Sequence, residues 1–147
     1  MTIHRIALFG SEVPEEHLHY IEGMVGRIRP YWEIVVGGQP SNVQEEVQKL
    51  ALRLGRTTKI FPIDKELEKS SSIVAMRTCN SLIANYSDWG IAIWNIKDNP
   101  TKDLIRRFVI NGKNIHTKIL TEGNELVDLE MEDKLKLLDI RRRFVFP

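Results

Sequence analysis

The sequence predicts an α/β fold: a parallel five-stranded sheet in the order 3-2-1-4-5, with helices on both faces and an extra helix at the C-terminal end. Three observations predict it. Five short runs rich in Ile, Val and Phe are separated by four segments whose apolar residues recur at helical spacing. Strands that alternate with helices need right-handed crossovers, which gives a parallel sheet covered on both sides. The 147 residues, 42% apolar and 28% charged, suit one domain with a sizeable core.

The first run is Ile3–Phe9. Pro14 then suits a first helical turn, and Leu18, Ile21, Val25 and Ile28 fall on one face of the helix that follows. The second run, Glu33–Val36, leads to a helix opening at Ser41, with Gln44 three residues on as in a capping box. Val43, Val47, Leu50 and Leu54 make its buried stripe, and Gly55 ends it. The third run is Thr58–Phe61. The polar stretch "PIDKELEKSSS" after it reads as a long exposed loop or a lid, and a helix then covers about Ser71 to Tyr86. The fourth run, Gly90–Trp94, precedes a helix from about Thr101 to Asn111, with Leu104, Ile105, Phe108 and Val109 inward and Gly112 at its end. The fifth run is Ile115–Leu120. A last helix, about Val127 to Arg143, sets Val127, Met131, Leu135 and Leu138 on one face. These readings divide the chain into a domain over residues 1–122 and a helical extension over residues 123–147, packing on the domain or on a second subunit.

Composition narrows the function classes. A formal net charge of +1 gives no sign of a nucleic-acid partner, and the trio Arg141, Arg142 and Arg143 suits a helix C-terminus. No apolar run is long enough to span a membrane, and no signal-peptide pattern opens the chain. The single cysteine, Cys79, excludes an internal disulfide and a cysteine zinc cluster, which points to a reducing cytoplasm. His17 and His19 are two apart and face different ways on a helix, so no metal site is expected. No G-x-G-x-x-G follows the first strand, and no cofactor is expected.

In an open α/β sheet, ligands bind where the strand order reverses, beyond the carboxyl ends of the strands. Here that crevice lies between the first and fourth strands. "LFGSEVP" brings Gly10, Ser11 and Glu12 to its mouth. Gly10 and Ser11 suit either a tight turn with a cap or an approach to phosphate. Gly37 and Gly38 precede a helix N-terminus at Ser41, where amide groups favour anions. Trp94 either stacks on a ligand or fills the core, and Thr101 either caps its helix or binds phosphate. Arg77 and Asn80 share a helical face that runs back to Ile73 and reads as core, so Arg77 needs a carboxylate or a bound anion as partner.

Taken together, these motifs resemble the SLOG superfamily, Rossmann-like domains that include the Lonely-Guy phosphoribohydrolases and the DNA-processing protein A group, and they look closest to the small YspA-like branch. "IALFGS" matches a strand ending Gly-Ser, and "IVVGGQPSNVQEEV" a strand ending Gly-Gly before a helix. Arg77, Asn80 and Asp88 fill an Arg-x-x-Asn helix and the Asp that precedes the fourth strand, and Trp94 and Thr101 match the last motif. The resemblance covers about Ile3 to Leu120. It implies a ligand-binding set of Gly10, Ser11, Gly37, Gly38, Ser41, Arg77, Asn80, Trp94 and Thr101, a nucleotide-type guest and a homo-oligomer.

Four positions depart from the pattern. Asn95 stands where an acid is usual, Ile96 and Pro100 where glycines are, and Asp98 where a small hydroxyl residue is common. Leu104 occupies the place of the Glu that the Lonely-Guy enzymes use, so that catalytic role does not carry over. The expectation is therefore a sensor or sequestering module for a nucleotide or a molecule derived from one. Two alternatives stand beside it: an enzyme acting on the N-glycosidic bond of a nucleoside monophosphate, with Glu12 as its carboxylate, and an interaction protein with a degenerate site.

Overall fold

The computed structural model describes residues 3–37 and 40–138. Its elements, in chain order, are β1 (Arg5–Gly10), α1 (Leu18–Arg27), β2 (Glu33–Gly37), α2 (Asn42–Arg53), β3 (Thr58–Phe61), α3 (Lys65–Ser70), α4 (Ser72–Tyr86), β4 (Trp89–Trp94), α5 (Asn99–Ile110), β5 (Asn114–Leu120), β6 (Leu126–Asp128) and α6 (Met131–Leu137). The sheet runs β3-β2-β1-β4-β5-β6. The first five strands are parallel, in the expected order.

The sixth strand corrects the sequence reading. β6 pairs antiparallel with β5, Lys118 opposite Asp128 and Leu120 opposite Leu126. Val127 therefore lies in a strand and not on a helix with Leu135 and Leu138. The missed signal is the turn Thr121–Asn124. Asn124 takes the left-handed region at φ 64°, and Glu125 N donates to Thr121 Oγ1 at 3.1 Å, which closes a hairpin. The Asp139–Arg143 end of the expected last helix lies outside the described residues.

A second correction falls on the polar stretch after β3. Asp64 accepts from Glu66 N at 3.0 Å and Leu67 N at 3.1 Å. It thereby caps the short helix α3, where a loop or lid was expected. Ser71 then caps α4 by accepting from Val74 N at 3.2 Å. On α2, Ser41 Oγ accepts from Gln44 N at 3.0 Å, and Gly55, at φ 66°, ends the helix in the left-handed region. Leu54 is 48% exposed, not part of the stripe, because it sits at that helix end.

Two apolar layers hold the sheet. On one face Ile6, Leu8, Ile34, Val36 and Ile93 meet Ile21, Met24 and Val25 of α1 and Val43, Val47 and Leu50 of α2. On the other, Ala7, Phe9, Val35, Ala92 and Trp94 meet α4 and α5, with Leu135 and Leu138 in the same cluster. Each fully buried Leu, Ile or Phe contributes about 1.5–3 kcal/mol. The free edge of β5 above β6 is closed by two donors: Leu129 N on Thr117 O at 2.9 Å and Lys134 Nζ on Ile115 O at 2.8 Å. Among the described residues no helix is long and apolar enough to cross a membrane.

Candidate functional site

A cleft of about 210 Å³ opens where the strand order reverses, between the carboxyl ends of β1 and β4 and the first turns of α2 and α5. Gly10, Glu12, Asn80 and Thr101 line it, as do Gln44, Asn95 and Asp98. Gly10 is there because nothing larger fits. A Cβ at this position would lie 2.6 Å from the Ile93 carbonyl oxygen and 2.8 Å from a Val43 methyl. The close approach of β1 to β4 and α2 thus fixes this glycine, whatever the cleft holds.

Beneath the cleft runs a closed hydrogen-bond network. Ser11 is fully buried. Its Oγ accepts from Asn95 N at 3.1 Å and donates to Thr101 Oγ1 at 3.5 Å. Thr101 Oγ1 in turn donates to Asp98 Oδ2 at 2.6 Å. Asp98 Oδ1 accepts from Thr101 N at 3.0 Å, so the cap of α5 is Asp98 and not Thr101. Asn95 Oδ1 accepts from Lys97 N at 2.9 Å and Asp98 N at 3.0 Å, and this bends the chain sharply after β4. Ile96, inside that bend, takes φ 72°. A β-branched residue is strained in this region.

Glu12 also serves the loop. Its Oε1 accepts from Asn42 N at 2.6 Å. Asn42 completes the tie, accepting from Val13 N at 3.0 Å and donating to Val13 O at 2.6 Å. At the N-terminus of α2, then, the protein's own carboxylate and the Ser41 hydroxyl occupy amides that an anion would use. Asn80 is similarly engaged. Its Nδ2 donates to Pro100 O and to Asp103 Oδ2, both at 3.0 Å, which clamps α4 to α5.

Several expected site residues are not part of this lining. Arg77 is exposed on the outer side of α4, beside Lys102 and Arg106, so the reading of a buried guanidinium in search of an anion is corrected. Ile73, expected in the core, is 56% exposed. Arg77 and Asn80, three residues apart, straddle the boundary of the buried face. Trp94 is 1% exposed and its indole donates to Asp98 O at 3.1 Å, so neither ring face is open for stacking. Gly37 lies inside β2, its Cα facing Ile83 of α4. Ser41 is buried as the cap of α2. Asp88 accepts from Arg5 N at 2.8 Å, at the opposite end of the sheet. Gly38 lies outside the described residues.

Gln44 is the functional candidate that sequence reading missed. It is 5% exposed, lines the cleft, and its Nε2 has no hydrogen-bond partner. A buried amide donor left unpaired costs about 1–3 kcal/mol. In the sequence its place three residues after Ser41 pointed to a capping role. Among the described residues the charged groups that line the cleft are Glu12 and Asp98, both acids. A neighbouring hollow of about 530 Å³ shares Glu12 and Asn95, and its charged lining groups are Glu12, Lys97 and Glu122.

The molecule is a Rossmann-like α/β domain, with its cleft at the reversal of strand order. Its structure is similar to that of DNA processing protein A from Streptococcus pneumoniae, with a TM-score of 0.63 and 12% sequence identity over 78% of this chain. The match takes in 50% of that protein, so the chain spans about half its length. At this identity the likeness is one of fold. No family model matches the chain, and neither does any curated protein.

Proposed function

We propose that this domain is a binding module that takes a small nucleoside- or nucleotide-type molecule in the cleft between β1 and β4, in a reducing cytoplasm. One observation carries the reading: the unpartnered, buried amide of Gln44 in a cleft at the strand-order reversal. A guest that draws the Gln44 amide toward the cleft and offers it an acceptor satisfies a group the protein leaves wanting. The cleft volume of about 210 Å³ is below the ~300–1,000 Å³ of sites for drug-sized ligands, so it suits a base or sugar with the rest of the guest extending outward. A thermal-shift screen of nucleosides, mononucleotides, cyclic nucleotides and NAD-derived compounds tests the reading. At least one compound should raise the melting temperature of the protein. Gln44→Met, which keeps the side-chain length, should weaken that compound's binding about tenfold.

A second reading has one observation in its favour: two carboxylates, Glu12 and Asp98, share the cleft. An N-glycosidic hydrolase needs a carboxylate near the anomeric carbon. Glu12 would be that group, although one of its oxygens already accepts from Asn42 N. Release of free base from a nucleoside monophosphate, lost in Glu12→Gln, would establish the enzyme. Binding without release would establish the module. If no compound raises the melting temperature, the cleft is a vestige and the domain an interaction protein.

A further inference from the structure

We infer that the cleft discriminates against phosphate, so that its guest is an uncharged nucleoside or nucleobase and not a nucleoside phosphate; this rests on the binding reading above. The argument is a balance of donors, acceptors and charge. Of the side chains lining the cleft, Asn80 spends both N–H groups of its Nδ2 on Pro100 O and Asp103, and Asn95 spends one on Glu12 O. The second N–H of Asn95 and the Gln44 amide are the donors that remain. Two carboxylates also line the cleft. Each oxygen of a carboxylate has two lone pairs, so Glu12 and Asp98 keep accepting capacity beyond their bonds to Asn42 N and Thr101.

The matching guest offers one or two acceptors, one or more N–H or O–H donors, and no negative charge. A nucleobase edge places donor and acceptor side by side, and a ribose adds hydroxyl donors. A phosphate offers acceptors and negative charge to a surface that needs the opposite. Among the described residues, three amides at the two helix starts are taken up within the chain. Asn42 N is on Glu12, Gln44 N on Ser41, Thr101 N on Asp98, and Pro100 has no N–H. The neighbouring hollow is lined by one cation, Lys97, and two acids, Glu12 and Glu122, which leaves it negative as well.

The test is calorimetric titration of the full chain with adenosine, guanosine, cytidine and uridine, each beside its 5′-monophosphate, at low ionic strength. The expected result is that at least one nucleoside binds and its monophosphate binds at least about tenfold more weakly. The gap should narrow in Glu12→Gln and close further in Glu12→Gln with Asp98→Asn. Each change keeps one accepting oxygen, for Asn42 N at position 12 and for Thr101 N at position 98, where Asn caps a helix about as well as Asp; the Thr101 hydroxyl loses its carboxylate acceptor. If the double variant does not fold, exposed Glu12→Gln alone reads the same gap. A monophosphate that binds as tightly as its nucleoside overturns the inference and leaves the binding module standing. A gap that persists undiminished in the variants overturns it too, since charge would not be its cause. If neither nucleosides nor monophosphates bind, the inference falls together with the module.

Discussion

Ile96 shows how one backbone angle turns a sequence oddity into a physical cost. The chain bends after β4 because Asn95 accepts from two successive amides, and the bend leaves Ile96 in the left-handed region at φ 72°. Non-glycine residues held there cost about 1–3 kcal/mol, part of which a glycine would return as greater freedom of the unfolded chain. Ile96→Gly should therefore stabilise the domain by about 1 kcal/mol, read as a higher urea midpoint at unchanged slope. The oddity was legible in the sequence as a departure from glycine, but the angle behind it was not. Gln44 is the opposite case. Its spacing from Ser41 spoke for a cap, and nothing in a single sequence separates a glutamine that caps from one that faces a cleft. Arg77 was misplaced for a related reason: a three-residue interval puts two side chains on adjacent faces, and burial decides which of them turns inward.

The elements were more legible than their ends. Strands β1 to β5 and the four long helices follow from apolar periodicity, and Ser41 was read as the cap of α2 with the partner it has. The start of α5 was not. Thr101 was expected to cap it, yet Asp98 does so with both oxygens on Thr101. Asp98→Ala should cost about 1–2 kcal/mol through the lost cap, while Asp98→Asn, which keeps the oxygen for Thr101 N and loses the one for the Thr101 hydroxyl, should cost about 1 kcal/mol or less, measured by thermal melting of the two variants side by side. β6 escaped because Val127 fits a helical interval to Met131 as well as it fits a strand. The hairpin turn that decides between them rests on a left-handed Asn124.

At the scale of the whole molecule, the segment after β5 belongs to the sheet and to its core. Lys134, 5% exposed, reaches the Ile115 carbonyl, and burial lowers its pKa from the ordinary lysine value, partly offset by the charge of Glu130. Between the lowered pKa and that of the unfolded chain, the unfolded state binds the proton more readily than the native state does. Stability contributed by Lys134 therefore rises with pH across that interval. In Lys134→Met this rise should be absent, so the difference in unfolding free energy between wild type and variant should grow in favour of wild type from neutral to alkaline pH in urea titrations. The same contact has a wider consequence. One rim of the sheet, β3, is exposed and carries Lys59, while the other rim is the three-residue β6, and the stretch of β5 that β6 leaves uncovered is stopped by a lysine and an amide reaching back from the tail. Open-ended strand templating between molecules is thus discouraged at both rims by different means. Self-association through a shared backbone ladder is thereby disfavoured at the covered stretch of β5.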